Sequence, residues 1–294
     1  SGDPRRFYTE TPPAPGFIKF MNPYLYRSSF KFSSEAEATE VYLNYLEEKI
    51  TLENPDNIAA IWFEGVVGSN GLLIPPKNYY KGVRKLCDKY GILLVIDDVM
   101  AGFGRTGKWF SCENFDFEPD MITFAKGVTS VYFPLGGIIV SKQISDYFDE
   151  NKLMTGLTYS GHPVGCATAI ANIEVMKELN VVENSHKLGQ YMKTKLHGLK
   201  TNHKSIGDVR SIGLFGVIEF VKDQHTRERM APYGKDPEGV MKKIKSQLFK
   251  NGLASFGRES LITVAPPLII TKKELDDIFL RLDIVCSYAD NFIK

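Results

Sequence analysis

The sequence predicts an α/β protein. A large domain over residues 1–200 is built on a mostly parallel sheet with helices on both faces, and a smaller α+β domain follows over 201–294. Two observations carry this. Short apolar runs, IAAIWFE (58–64), ILLVIDD (92–98), MITFA (121–125) and GGIIVS (136–141), are interleaved with amphipathic helical stretches, the pattern of a parallel sheet with crossover helices. After the polar turn Thr201–Lys204 the pattern changes to a strand-like run, a polar loop and two helices, which marks a second unit.

The elements follow in order. Residues 1–33 are rich in Pro, Tyr and Phe without helical period, and are expected to form a long surface loop with a short strand. Residues 33–53 open on serine and repeat apolar residues at helical spacing, which predicts a capped helix. The stretch 76–91 is an amphipathic helix with Gly91 as its stop. Residues 162–180 begin a long helix rich in small residues, and the helical pattern continues through 183–199. In the second unit, VRSIGLFGVIEFV (209–221) reads as a strand and 225–236 as a polar loop. Residues 237–252 form a helix stopped by glycine. LITVAPPLII leads into a last helix from Thr271, where Thr271 and Glu274 form a capping box.

Bulk properties narrow the function classes. With 36 basic and 35 acidic side chains, nothing electrostatic points to nucleic acid or to an acidic membrane surface. The four cysteines, Cys87, Cys112, Cys166 and Cys286, are scattered without a Cys-x-x-Cys, as in a cytoplasmic protein with reduced thiols. The five histidines form no His-Glu-x-x-His, so no metal site is expected. No apolar run is long enough for a membrane span, and the opening SGDPRRFYTE does not read as a signal peptide.

The chemistry concentrates in LLVIDDVMAGFGRTGKWF (93–110) and PDMITFAKGV (119–128). One apolar strand ends in an acid, Asp97, and the next ends in a lysine, Lys126. The carboxyl ends of parallel strands are where such sheets bind ligands. An acid and an amine in one crevice suit pyridoxal phosphate, whose aldehyde a lysine holds as an imine and whose ring nitrogen an acid keeps protonated. An apolar setting would desolvate Lys126 and make its amine a nucleophile. The plain alternatives are a surface lysine at a strand end and an acid that only closes a turn. Asp98 is expected to face away from Asp97, and Val99 to share the side of Asp97.

The run DDVMAGFGRTGKWF…PDMITFAKGV…FPLGGIIVS resembles the signature of class III aminotransferases, the ω-aminotransferase group of fold-type I pyridoxal phosphate enzymes. Residues 61–97 are similar to the family's Glu-Pro-x-x-Gly segment, with Gly65 in place of proline, and Asp98 stands where the family usually has glutamate. LTYSGHPVGCATAIANIEVM (157–176) resembles its Thr-x-Ser-Gly-His-Pro turn and helix, and VRSIGLFGVIEF and VAPPLIITKKELDDI resemble its small domain. The resemblance runs from about Gly2 to the end, without the family's usual N-terminal third.

It implies transamination of an ω-amino acid or amine, taurine-like or β-alanine-like, with pyruvate or another keto acid, by a homodimer carrying pyridoxal 5'-phosphate on Lys126. In the same reading Asp97 holds the pyridinium, Val99 packs on the ring, and Thr158 bonds the cofactor phosphate across the dimer interface. Glu64 either pairs with an arginine or positions Asp97. The family's carboxylate-binding arginine aligns without gaps to Phe256, which leaves Arg258, two residues on, as the substrate-binding candidate or as an ordinary solvated arginine. Met100 hints at the pyruvate-using branch. Without the N-terminal third, which in the family supplies a phosphate loop, this polypeptide is expected to bind cofactor weakly alone. The alternative of another class is then a non-catalytic fragment or assembly partner that needs a separate N-terminal chain. Gly102-Phe103-Gly104-Arg105-Thr106-Gly107 also matches G-x-G-x-x-G, but a dinucleotide site needs a helix to open there, and KWFSCENFDFEPD is a poor helix, so NAD binding is a distant third.

Overall fold

The computed structural model describes residues 14–232 and 234–293. The expectation for residues 1–13 lies outside the described residues. From residue 14 to the first helix the chain is irregular, broken by a single 3-10 turn at Leu25–Arg27, and no strand forms there.

Helix α1 (Glu35–Leu52) starts where the Ser34 side chain accepts the Glu37 amide, and it buries Tyr42, Leu46 and Ile50 along one face. Strand β1 (Ala60–Glu64) alternates, with Ile61 and Phe63 inward. Helix α2 (Tyr79–Tyr90) ends at Gly91, left-handed at φ 66°, which suits glycine. Strand β2 (Leu93–Asp97), strand β3 (Met121–Phe124) and strand β4 (Gly137–Val140) complete a sheet of order β1-β2-β3-β4. β1, β2 and β3 are parallel, and β4 runs antiparallel beside β3. Tyr42, Tyr79, Tyr80, Val83, Leu94 and Ile96 belong to the core that α1 and α2 form on one face. On the other face Trp62, Ile138 and Val140 are exposed, so the expected second helical layer does not cover these positions among the described residues.

Helix α3 (Lys142–Glu150) follows with no buried residue, and the sequence reading missed it. Helix α4 (Pro163–Glu178) and helix α5 (Val181–Asn202) match the long helical pattern, divided at Asn180, which is left-handed at φ 49°.

The run 209–221 is two strands rather than one. Strand β5 (Ile206–Ile212) turns at Gly213–Leu214 into strand β6 (Phe215–Asp223). Gly213 has φ 53°, and a Cβ there would lie 2.3 Å from the Thr106 carbonyl carbon, so the chain must turn and the residue must be glycine. Strand β7 (Glu228–Arg229), helix α6 (Val240–Lys250), strand β8 (Gly257–Arg258), strand β9 (Leu261–Val264) and helix α7 (Lys272–Ala289) complete the chain. The second sheet is antiparallel, ordered β5-β6-β9-β8 with β7 beside β6. α5, α6 and α7 pack on it through Met192, Leu196, Ile244, Leu275, Leu282 and Val285. The capping box at Thr271 and Glu274 forms as expected.

Charge joins the two sheets. Glu219 on β6 is fully buried and bonds Tyr24, Arg27 and Arg210, and Arg210 donates to the Gly71 carbonyl (2.8 Å) beyond β1. Burial alone would raise the Glu219 carboxyl, but Arg210, Tyr24 and Arg27 hold it below the ordinary value. No described helix is long and apolar enough to cross a membrane.

Candidate active site

Parallel pairing sets the site's register. Glu64 on β1 is the partner of Asp97 on β2, and Asp97 is the partner of Thr123 on β3, so the three form a row at the carboxyl ends of the strands. Lys126 follows β3 after Phe124 and Ala125.

Asp97 is half-buried, and its Oδ1 accepts the Val99 amide at 3.0 Å. This local bond, which an aspartate makes readily to the amide two residues on, fixes the carboxylate. Its other oxygen has no hydrogen bond among the described residues. Val99 is thereby held beside Asp97, although the strand has ended and a turn, rather than strand alternation, places it there. Asp98 is fully buried on another side, as expected, where its carboxylate takes the Ser111 amide (2.7 Å) and the Ser111 hydroxyl. Burial raises the Asp98 carboxyl and the Ser111 bonds oppose the rise. The neighbouring acids thus differ: Asp98 anchors the loop through Ser111, and the Asp97 carboxylate is bonded, among the described residues, to the Val99 amide alone.

Gly65 belongs to the same knot. A Cβ at Gly65 would lie 1.8 Å from the Ser111 hydroxyl and 3.1 Å from Asp98 Oδ1. The two departures from the family pattern, Gly65 and Asp98, therefore border one space, which the Ser111 side chain occupies.

Glu64 is half-buried and accepts the Gly68 amide at 3.0 Å. Burial raises its carboxyl above the ordinary range, and the Gly68 bond opposes the rise. The charge of Asp97 adds to it and that of Lys126 subtracts. Glu64, Asp97 and Lys126 therefore share one electrostatic neighbourhood.

Lys126 is exposed in this structure, which departs from the apolar setting expected for it. Its backbone is left-handed at φ 44°, and Ser130 (48°) and Val131 (59°) share that conformation. A non-glycine residue there costs about 1–2 kcal/mol, so something must hold the turn. Asn172 on α4 does: its Nδ2 donates to the carbonyls of Gly127 (2.9 Å) and Val128 (3.0 Å), and its Oδ1 accepts the Ser130 hydroxyl (2.7 Å). No motif flagged Asn172, and the only signal in the sequence was a polar residue amid the small and apolar ones of that helix. On the other side Gly127 lies against Phe103, where a Cβ would come within 2.8 Å of the Phe103 Cβ.

The segment 102–107 is a series of turns and opens no helix. It cannot offer a helix N-terminus to a dinucleotide phosphate, which removes the NAD reading. Its Arg105 is instead half-buried and donates to the carbonyls of Leu214 (2.8 Å) and Pro266 (2.7 Å), tying the loop after Asp97 to the second sheet. Burial lowers this guanidinium to about 10.

Thr158 lies in an exposed turn before α4 and makes no side-chain hydrogen bond among the described residues. Arg258 is half-buried on β8, at the edge of the second sheet, with its charge near Glu259. Phe256, at the ungapped arginine position, is exposed.

Comparisons with known proteins agree with this geometry. The family model "Aminotransferase class-III" matches residues 8–285. Taurine–pyruvate aminotransferase of Bilophila wadsworthia is 37% identical, covering 92% of this chain and 61% of that protein. Putrescine–pyruvate aminotransferase of Pseudomonas aeruginosa is 32% identical, covering 90% and 57%. A crystal structure of taurine:2-oxoglutarate aminotransferase from Bifidobacterium kashiwanohense, in complex with PLP and glutamate, superposes with a TM-score of 0.95 at 47% identity, covering 100% of this chain and 66% of that one. The chain thus spans about six tenths of the length of the curated relatives it matches. With Asp97 and Lys126 at the ends of adjacent parallel strands and a family match across nearly its whole length, the chain belongs to the class-III aminotransferases.

Proposed function

We propose that the protein transfers the amino group of an ω-amino acid or simple amine to pyruvate or another keto acid, using pyridoxal 5'-phosphate. The observation that carries this is Asp97, oriented by the Val99 amide with one carboxylate oxygen uncommitted, a strand away from the turn that bears Lys126. Those residues fit the cofactor: an amine for its aldehyde, a carboxylate for its ring nitrogen and an apolar Val99 for its face. When bound, it would supply a carbonyl that captures amines and a cationic ring that accepts electron density. Lys126 anchors it between turnovers. When free, its Nζ would take the proton from the carbon that bears the substrate amine. Asp97 keeps the positive charge beside the ring nitrogen. Glu64 steadies the 65–68 loop by accepting the Gly68 amide.

A taurine-like or β-alanine-like donor is supported by the two taurine enzymes among the relatives, and putrescine extends the range to a plain amine. Pyruvate is supported by two of these relatives and 2-oxoglutarate by the third. Arg258 is the candidate for an anionic substrate end. A homodimer, in which Thr158 of one copy serves the cofactor phosphate of the other, is supported by the exposure of Leu153, Met154, Leu157 and Tyr159 around Thr158. In this reading the chain divides into a cofactor domain and a small domain, and because α5 shares its core with the second sheet, the division falls nearer residue 180 than residue 200. A cytoplasmic location fits the four free thiols.

The test offers taurine, β-alanine and putrescine with pyruvate or 2-oxoglutarate to protein loaded with pyridoxal phosphate, and follows alanine or glutamate. Transfer from any of these donors supports the reading. Cofactor-loaded protein that transfers from none of them, to either acceptor, contradicts it.

A further inference from the structure

We propose that Asn172 is a positioning residue for Lys126. The inference rests on the reading that Lys126 is the reactive amine. The turn that carries the lysine is costly in itself, with Lys126, Ser130 and Val131 all left-handed and none of them glycine. Its backbone bonds around the lysine are long: Val128 N–H reaches the Ala125 carbonyl (3.2 Å), Ser130 N–H the Gly127 carbonyl and Val131 N–H the Lys126 carbonyl (both 3.3 Å), while Thr129 is tied onward, its carbonyl to Tyr132 N–H (3.0 Å) and its hydroxyl to the Phe133 carbonyl (2.7 Å). Among the described residues, the one side chain from another element that bonds this turn is Asn172. The Asn172 amide spans the turn, donating to the two carbonyls directly after Lys126 and accepting from the Ser130 hydroxyl beyond them. An asparagine alone offers both donors and an acceptor in this reach; aspartate would set a carboxylate against two carbonyls, and leucine would satisfy none of the three groups.

Asn172 stands on α4, the helix that begins just after the turn carrying Thr158. Its packing neighbours Ala169 and Met176 are buried with Phe103 and Val128, so the helix is fixed against the lysine turn before the amide acts. The packing holds the helix, and the amide sets the conformation of the turn. Without it the turn keeps its place but relaxes toward ordinary backbone angles, and Lys126 spends less time where it can meet a carbonyl.

The experiment measures the rate at which pyridoxal phosphate, added to cofactor-stripped full chain, gives a borohydride-trapped adduct on the Lys126 peptide by mass spectrometry, with the thermal midpoint recorded in parallel. Asn172→Leu and Asn172→Asp are expected to slow trapping roughly 10-fold or more, the scale of losing hydrogen bonds to buried carbonyls. Ser130→Ala removes one bond of the three and is expected to slow it about 2- to 5-fold. Leu196→Ala, in the core of the second sheet, serves as the stability control and is expected to lower the midpoint without changing the trapping rate. Should Asn172→Leu fold poorly, Asn172→Asp carries the comparison. Trapping on Lys126 at the unsubstituted rate in either Asn172 variant overturns this inference alone, as does equal slowing by Leu196→Ala. An adduct on another lysine in the unsubstituted protein overturns the Lys126 assignment itself and this inference with it.

Discussion

Glu64 and Asp97 are register partners at the carboxyl ends of adjacent parallel strands, and each accepts a backbone amide from the loop that follows it: Gly68 for Glu64, Val99 for Asp97. Each carboxylate is thus held by its own loop. Their charges meet at the mouth of the sheet, and the Lys126 charge offsets part of the repulsion.

The first consequence concerns Asp97. Asp97→Asn preserves the volume and can still accept the Val99 amide, but it removes the charge. We expect the proton-abstraction step to slow by about 100- to 1,000-fold, the scale of losing a preorganised electrostatic group, with the fold intact. Single-turnover kinetics with a saturating amine would check it, and near-normal rates would exclude a role for that charge.

The role proposed for Arg258 predicts a division among substrates. Arg258→Ala should weaken donors and acceptors with an anionic end by about 1.5–3 kcal/mol, as for hydrogen bonds to charged groups, and leave putrescine unaffected. Equal loss of kcat/KM for taurine and putrescine would refute the assignment.

His203 reports on the second sheet. It is buried, with Nδ1 2.8 Å from Asp290 and Nε2 2.9 Å from Asp283, so both nitrogens can donate only when the ring is charged. Burial works against the charged ring, but the two aspartates prevail and raise its pKa above 6.5. A group raised on folding contributes stability that is full below its unfolded value and is lost as pH rises through the folded one. Thermal stability should therefore decline as pH climbs above about 6.5, and His203→Gln should flatten that slope. An unchanged slope in the variant would show that other groups set it.

The knot at Gly65 predicts a coupling. Gly65→Ala pushes a methyl group into the Ser111 hydroxyl, and overpacking of this kind costs about 1–3 kcal/mol. Ser111→Ala removes a hydroxyl bond to the buried Asp98, a loss of about 1.5–3 kcal/mol. The double variant should be less destabilised than the sum of the two, since the second change makes room for the first. Denaturant unfolding of the four proteins measures this, and strict additivity would contradict the contact.

The placement of the candidate residues at the mouth of the sheet was legible because strands announce their ends. The apolar runs before Asp97 and Lys126 stop at a charge, and a parallel sheet collects those ends along one edge. Less legible was whatever depends on contact between distant segments. The hairpin at Gly213 read as one strand because Leu214 and its neighbours are apolar throughout; the turn is dictated by the Thr106 backbone pressing on Gly213. Helix α3 has no buried face among the described residues, so its pattern pointed to no core. Asn172 was invisible because its partners are backbone carbonyls, which leave no mark in sequence. Lys126 was expected in an apolar setting, yet the described residues leave it exposed.

The most direct measurement is the location of the imine. Protein loaded with pyridoxal phosphate is reduced with borohydride, digested and mapped by mass spectrometry. The account predicts a pyridoxyl group on Lys126, and loss of turnover by several orders of magnitude in Lys126→Ala, because the anchor and the general base go together. A reduced adduct on any other lysine, or turnover that survives Lys126→Ala, would contradict it.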